Sequence, residues 1–182
     1  IKSSAADPKF LRHEGPALVF DDPGTMMRVL DDPDLDVTED TVLVLRNAGP
    51  VGAPGMPEAG LIPIPKKLAI QGVKDMVRIS DGRMSGTASG TIVLHVSPEA
   101  AHNGPLALVR DGDLIELDVE NRVLALKVSD HELDKRRQET SCETPTENVL
   151  GYRKMFLEQI LQAEEGCDFR FSRPPQTSKV PR

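Results

Sequence analysis

The sequence is poor in aromatic residues and has no tryptophan. Its 182 residues include five phenylalanines and one tyrosine, which together make up 3% of the chain. Proteins that bind single-stranded nucleic acid stack the bases on aromatic side chains, so this class is disfavoured. The formal net charge of -7, with 29 acidic and 22 basic residues, also argues against a nucleic-acid or anionic-membrane partner. Small molecules and other proteins are the expected partners.

Cysteines and long apolar runs are scarce as well. Cys142 and Cys167 lie far apart, without Cys-x-x-Cys spacing or a neighbouring pair of histidines. By itself the chain therefore offers neither a zinc site nor a self-contained iron–sulfur site, and two free thiols indicate a reducing compartment. No run of about 18 apolar residues is present, and the first residues do not resemble a signal peptide. We expect a cytoplasmic fragment of a longer protein, since the chain does not begin with Met.

Six short apolar segments predict β-strands: residues 41–46, 76–79, 91–96, 106–109, 113–119 and 123–128. The first is apolar at nearly every position, which is typical of a strand buried on both faces. In the last two, apolar residues alternate and a turn sequence lies between them, so we expect an antiparallel hairpin with one buried face. Residues 7–19 mix proline, charge and single apolar residues. We interpret them as a segment that lies over the surface of another domain.

Helices are predicted at residues 24–30, 66–72, after Pro98, after Ser129 and at 149–163. Ser129 and Glu132 form a capping box, and the three cations at 135–137 are expected in a solvated last turn. The last helix carries an apolar stripe and ends at Gly166. The pattern predicts a mixed α/β fold, a β-barrel with short surrounding helices in residues 1–140. Residues 141–182 are predicted to hold a linker, the C-terminal helix and a loose tail.

Two loops are candidates for function. Residues 80–91 read Ser-Asp-Gly-Arg-Met-Ser-Gly-Thr-Ala-Ser-Gly-Thr between two apolar strands, and their three glycines let a ligand approach the backbone. The alternative is a simple tight turn, since the spacing fits neither nucleotide-binding pattern. Residues 47–65 form a long loop rich in glycine and proline, and loops of this length are often functional. Glu58, in the middle of this loop, is either a ligand of a bound group or a solvent-exposed surface charge. His95, between apolar neighbours, is interpreted as a core residue and not as a catalyst.

Residues 80–91, with Gly-Met-Pro-Glu at 55–58 and His-Val-Ser-Pro-Glu-Ala-Ala at 95–101, resemble the C-terminal domain of the dihydroxy-acid and sugar-acid dehydratase family. The likeness continues in order through residues 104–109, 111–113 and 128–133 and ends at 165–169. The resemblance implies a swivelling β/β/α barrel domain that closes over a larger N-terminal domain, absent here. That domain would hold an iron–sulfur cluster and most ligands of a Mg²⁺ ion.

The resemblance also implies the reaction and the residues. Water is lost from a 2,3-dihydroxy acid, and the resulting enol becomes a 2-oxo acid. Ser85 corresponds to the general base, acting as an alkoxide, Glu58 to a magnesium ligand and Thr87 to a residue against the substrate. The implied partners are a hydroxy-acid substrate, the N-terminal domain of the same protein and further copies in a homodimer or homotetramer.

The Met-Ser-Gly-Thr-Ala stretch at 84–88 resembles the sugar-acid members of the family, whereas Gly82 and Ser89 depart from their pattern. We therefore expect a pentonate or hexonate as substrate. One alternative is the dihydroxy-acid dehydratase of branched-chain amino-acid biosynthesis. The other is a swivelling or binding domain without catalytic activity.

Overall fold

A mixed six-stranded sheet forms the centre of the computed structural model, which describes residues 1–87, 89–140 and 149–173. Its strands are β1 (Arg12–Phe20), β2 (Val42–Leu45), β3 (Arg78–Ser80), β4 (Ile92–Val93), β5 (Leu114–Asp118) and β6 (Val123–Leu126). Their order is β4-β3-β2-β1-β5-β6, with parallel pairing from β1 to β4 and antiparallel pairing at β5 and β6. The sheet curls into a half-barrel. The mixed α/β class and the antiparallel hairpin are thereby confirmed.

Strand β1 changes its partner halfway. Residues 12–16 pair antiparallel with β5, and residues 17–20 pair parallel with β2. At the change, a Cβ atom on Gly15 would overlap the carbonyl oxygen of Asp40, so glycine is needed there. The interpretation of residues 7–19 as a segment on another domain is wrong. Charged residues, Gly15 and Pro16 hide the strand pattern, although Ala17 and Phe20 are buried.

The core lies on both faces of the sheet. Val42 and Val44 of β2 belong to one apolar cluster, and Leu43 and Leu45 belong to the other. All four side chains are 0% exposed. This confirms the prediction of a strand buried on both faces, because helices and loops cover the sheet on each side.

In the part of the chain that the structure describes, four α-helices surround the sheet: α1 (Pro23–Leu30), α2 (Lys66–Ile70), α3 (Asp130–Glu139) and α4 (Gly151–Gln159). The side chain of Asp22 caps α1, and that of Ser129 caps α3. Of residues 106–109, predicted as a strand, the first three instead belong to a 3-10 turn, Pro105–Leu108, because the proline at its start fixes the backbone, and Val109 follows the turn in an extended conformation. None of the helices in the described ranges is long and apolar enough to cross a membrane.

Helix α3 differs from its prediction at Arg136. The side chain is buried and binds both carboxylate oxygens of Asp113, the carbonyl of Leu108 and, through Nε, Glu132. Burial alone raises the pKa of Asp113, but the hydrogen bonds from Arg136 and from the backbone N–H of Arg110, together with the two positive charges, hold that pKa below its ordinary value. The prediction of a solvated last turn is therefore wrong for Arg136.

Helix α4 packs on a different face from the predicted one. Leu157 of the helix and Leu161 beyond it are buried, whereas Tyr152 is 71% exposed. The helix ends at Gln159, and Gly166, with a left-handed φ of 89°, instead terminates a 3-10 turn, Ala163–Glu165. Residues 141–148 and 174–182, with most of the predicted linker and tail and Cys142, lie outside the described residues.

Candidate functional site

Both candidate loops leave the same edge of the sheet. Strands β2 and β3 are parallel neighbours and end at Leu45 and Ser80. The Glu58 loop, residues 46–65, follows the first strand, and the Ser85 loop, residues 81–87 and 89–91, follows the second. Ligands of open α/β sheets bind outside the carboxyl ends of parallel strands. The topology therefore brings two loops that are distant in sequence to the edge where a ligand site is expected.

The hydroxyl groups of Ser85 and Thr87 form a pair. Their oxygen atoms are 2.9 Å apart, and the backbone N–H of Thr87 donates to Ser85 Oγ over 3.4 Å. Ser85 is half-buried and Thr87 is exposed. Within the described residues no charged side chain binds Ser85 directly. A serine hydroxyl is a poor base unless positive charge lies nearby, so base chemistry at Ser85 requires a cation.

Arg83 connects Glu58 to the Ser85 loop. Its Nη1 donates to Glu58 Oε1 over 2.9 Å, and its Nε donates to the carbonyl of Met56 over 2.7 Å. A third bond runs the other way, from the N–H of Gly60 to the carbonyl of Arg83, over 2.7 Å. These three bonds, which we call the Arg83 clasp, fix the two loops against each other. Sequence analysis recorded Arg83 only as part of a motif.

Buried carboxylates hold the backbone beneath the two loops. Asp81 is 1% exposed and accepts hydrogen bonds from the N–H groups of Asn47, Ala48 and Ala100. Burial raises its pKa above the ordinary value, although these donors oppose the rise. Within the described residues it has no cationic partner. The loops are therefore tied to the sheet through backbone donors rather than through ion pairs.

Glu99, also 1% exposed, is a second buried carboxylate that binds the backbone of the Glu58 loop. It accepts from the N–H groups of Val51 and Gly52 and from the side chain of Gln162, which follows α4. The Glu58 loop is thus anchored to the C-terminal segment. From the sequence, Asp81 and Glu99 are recognised only as members of motifs, because the backbone N–H groups that they bind lie in distant segments.

The three glycines of the Ser85 loop have different reasons to be glycine. A Cβ atom on Gly82 would lie 2.9 Å from the side chain of Ala48, and one on Gly90 would overlap the guanidinium of Arg78. Gly90 also has a φ of 118°. At Gly86 φ is not positive, and a Cβ atom would meet nothing within 4 Å among the described residues. Local packing therefore explains two of the three glycines but not Gly86.

His95 lies beside this loop and not in the core. It is exposed, has a φ of 54°, and its backbone N–H donates to the carbonyl of Gly82. The interpretation as a core residue is wrong. His95 lies two residues beyond the end of β4, and its left-handed backbone breaks the alternation of buried and exposed side chains that a longer strand would have.

Glu58 can serve as one ligand of a metal ion. Its side chain is 49% exposed, and no hydrogen bond from the described residues reaches Oε2. A carboxylate oxygen is a ligand that Mg²⁺ prefers. In the described ranges, no group of three or more His, Cys, Asp or Glu residues is placed to hold a metal ion. A magnesium site that includes Glu58 needs its other ligands from elsewhere.

The described cysteine does not fit an iron–sulfur cluster. Cys167 donates its thiol proton to the sulfur of Met56 over 3.6 Å. Burial raises the pKa of Cys167, and the nearby Glu99 and Glu164 add to the rise. Clusters are held by several thiolates, so a single protonated thiol cannot hold one. Its position supports Met56 at the Arg83 clasp instead.

Comparison with known proteins gives several long matches. A dehydratase named for 6-deoxy-6-sulfo-D-gluconate, from Pseudomonas putida, is 58% identical over 94% of this chain and 29% of its own length. The L-arabonate dehydratase of Azospirillum brasilense is 48% identical over 100% of this chain and 32% of its own. A dihydroxy-acid dehydratase of Caldanaerobacter subterraneus subsp. tengcongensis is 37% identical over 93% of this chain and 30% of its own length. The chain spans about 30% of the length of these relatives.

The family comparison agrees with the motifs around the two loops. Residues 1–167 match the family described as dihydroxy-acid/6-phosphogluconate dehydratase C-terminal. This match covers the whole sheet, both loops and helix α4. The chain therefore belongs to the dihydroxy-acid/6-phosphogluconate dehydratase family and corresponds to the C-terminal domain of its members.

Proposed function

We propose that this chain provides half of the active site of a dehydratase that converts a sugar acid to a 2-keto-3-deoxy acid. The observation that carries the proposal is the Arg83 clasp, which fixes the Glu58 loop against the Ser85 loop at one edge of the sheet. Relatives named as dehydratases of sulfogluconate and arabonate support the reaction class. The other half of the site would come from the part of the relatives that this chain does not cover.

In this proposal Ser85 takes the proton from C2 of a 2,3-dihydroxy acid. The electrons of the C2–H bond form the C2–C3 double bond as the C3–O bond breaks. The departing hydroxide and the proton removed from C2 together make up the water that is lost, and the enol becomes the 2-oxo acid. Thr87 lies 2.9 Å from Ser85, close enough to orient the base or to bind a substrate hydroxyl. Gly86, with open space above it, lets the substrate approach the loop backbone.

Glu58 would be a ligand of Mg²⁺ through its free oxygen, and Arg83 would hold the carboxylate in place. When bound, Mg²⁺ and an iron–sulfur cluster supply Lewis acids for the leaving hydroxyl and for the substrate carboxylate. The family resemblance implies that the N-terminal domain of the same protein would hold the cluster.

A sugar acid is favoured over a branched dihydroxy acid for two reasons. The relatives named for sulfogluconate and L-arabonate share 58% and 48% identity with the chain, against 37% for the dihydroxy-acid dehydratase. The Met-Ser-Gly-Thr-Ala stretch at residues 84–88 points the same way, although Gly82 and Ser89 depart from the sugar-acid pattern. A cytoplasmic homodimer or homotetramer, inferred from the resemblance, completes the proposal.

The test is hydrogen exchange at the substrate C2 position in deuterated solvent, measured on the full-length protein. Ser85→Ala should abolish exchange and lower turnover by about 10²–10⁴-fold, the usual contribution of a general base. Ser89→Ala, in the same loop and without an assigned role, is the matched control. Exchange at the wild-type rate in Ser85→Ala would show that Ser85 is not the base.

The same assay separates the alternatives for the substrate. Wild-type protein is offered a pentonic acid, a hexonic acid and a branched 2,3-dihydroxy acid. Turnover of the branched acid alone would refute the sugar-acid preference. Absence of turnover and exchange with all three would favour the domain without catalytic activity.

A further inference from the structure

The first residues of the chain lie against the Ser85 loop. Lys2 Nζ donates a hydrogen bond to the carbonyl of Gly86 over 3.0 Å, across a separation of 84 residues. The N–H of Gly90 donates to the carbonyl of Ala5 over 2.8 Å. The contact with Lys2 is made by Gly86, the residue directly after Ser85, and the contact with Ala5 is made by Gly90, near the end of the loop. Together they hold the loop from outside the sheet.

This N-terminal segment is itself fixed to the core. The N–H of Asp7 donates to Asp75 Oδ2 over 3.1 Å and to Thr91 Oγ1 over 3.2 Å. Asp75 and Thr91 are 8% and 0% exposed and bind each other over 2.7 Å. The segment that carries Lys2 is therefore held at Asp7, five residues further along the chain, by the buried side chains of Asp75 and Thr91.

Lys2 is an exposed cation that forms no ion pair with any residue the structure describes. The Gly86 carbonyl takes only one of its three N–H donors. By contrast, Lys9 in the same segment pairs with Glu39 over 3.0 Å. The Lys2 ammonium binds the carbonyl of the residue that directly follows Ser85, and a positive charge near a hydroxyl group favours the ionised form of that hydroxyl. The effect grows when a covering domain excludes water.

We propose that Lys2 is a positioning residue of the Ser85 loop: its ammonium holds the Gly86 carbonyl and places a positive charge one residue from Ser85. This inference rests on the proposed function. It supplies, from this chain itself, part of the positive charge that a serine base requires. It also explains why the segment that precedes β1 crosses over a loop 84 residues away instead of extending into solvent.

The experiment compares Lys2→Gln, Lys2→Arg and the control Lys9→Gln in the full-length protein. Amide hydrogen exchange of the peptide that contains Gly90 should be about tenfold faster in Lys2→Gln, because Ala5, whose carbonyl accepts from the Gly90 N–H, is held less firmly once Lys2 no longer binds Gly86. With the sugar acid, kcat should fall by about 10- to 100-fold, while KM stays near the wild-type value. Lys2→Arg should restore most of both properties, because it keeps a cationic donor, and Lys9→Gln should change neither.

Two results would refute the proposal. Unchanged exchange in Lys2→Gln would show that the contact does not hold the loop. Faster exchange with an unchanged kcat would show that the contact is structural and does not position Ser85. A wild-type protein without dehydratase activity would refute the proposed function instead, and the exchange measurement would then decide by itself whether Lys2 holds the loop.

Discussion

The sharpest test of the Ser85 loop is to replace its glycines one at a time with alanine. At Gly86 an added Cβ atom meets nothing within 4 Å of the described residues, and φ lies outside the left-handed region. Alanine also restricts the unfolded chain, so Gly86→Ala should raise the free energy of unfolding by about 0.4–1 kcal/mol. The activity should nevertheless fall, because the methyl group would occupy the space through which the substrate approaches.

Gly90 is the matched control with the opposite expectation. Its φ of 118° is strained for alanine by about 1–3 kcal/mol. The methyl group would also overlap Arg78 and press on Asp75, which form a buried ion pair 2.6 Å long. Breaking such a pair costs about 3–5 kcal/mol. Gly90→Ala should therefore destabilise the protein by at least about 3 kcal/mol.

Chemical denaturation measures the free energy of unfolding, and steady-state kinetics with the sugar acid measures turnover. We expect Gly86→Ala to be stable but less active, and Gly90→Ala to be unstable. If Gly86→Ala loses more than about 1 kcal/mol of stability, the space above the loop is not open. If it keeps full activity, Gly86 is only a turn residue and the substrate does not approach there.

Two further predictions concern charged residues. Glu58→Gln should raise the Mg²⁺ concentration that gives half-maximal activity. It should change the free energy of unfolding by no more than about 1 kcal/mol, because the ion pair of Glu58 with Arg83 is exposed. Glu39→Gln is the control, and equal magnesium dependence in both variants would show that Glu58 is only a surface charge. Burial raises the pKa of Asp75, but hydrogen bonds from Thr91 and the ion pair with Arg78 lower it below the ordinary value. Its contribution to stability is therefore present above about pH 4, the unfolded value, and is lost as the pH falls through the lower native pKa. Thermal denaturation between pH 7 and pH 3 should show this loss, and Asp75→Asn should be less stable at pH 7 with a flatter pH dependence; an equally steep profile in Asp75→Asn would assign the loss to other carboxylates.

Local patterns determined the elements whose signals lie within one segment. Strand β2 is apolar at each of its four positions, the hairpin alternates around a turn, and α1 begins with a capping aspartate and a proline. Hydrophobic burial and capping act over a few residues, so such elements can be predicted from the chain alone. The ordered motifs from Gly55 to Phe169 likewise indicated the family, and they carried Ser85, Thr87 and Glu58 as predictions.

Strand β1 and Arg136 show where local patterns fail. Residues 12–20 contain charge, glycine and proline, and they form a central strand only because β2 and β5 each supply half of the hydrogen-bond ladder. Arg136 is buried because Asp113, 23 residues away, meets both of its terminal nitrogens. Neither the strand partner nor the ion-pair partner can be read from the residues nearby, since each depends on the register of the whole sheet.

By itself, then, the sequence determined the family, the mixed α/β class and the residue types of the candidate site. Only the tertiary structure decided how these residues are held. The parallel pairing of β2 and β3 sends both loops from one edge, where Arg83 can reach Met56 and Glu58 and Lys2 can reach Gly86. These contacts join residues 25 to 84 positions apart. Such distances are closed by the packing of the sheet and its helices, which no local pattern of side chains encodes.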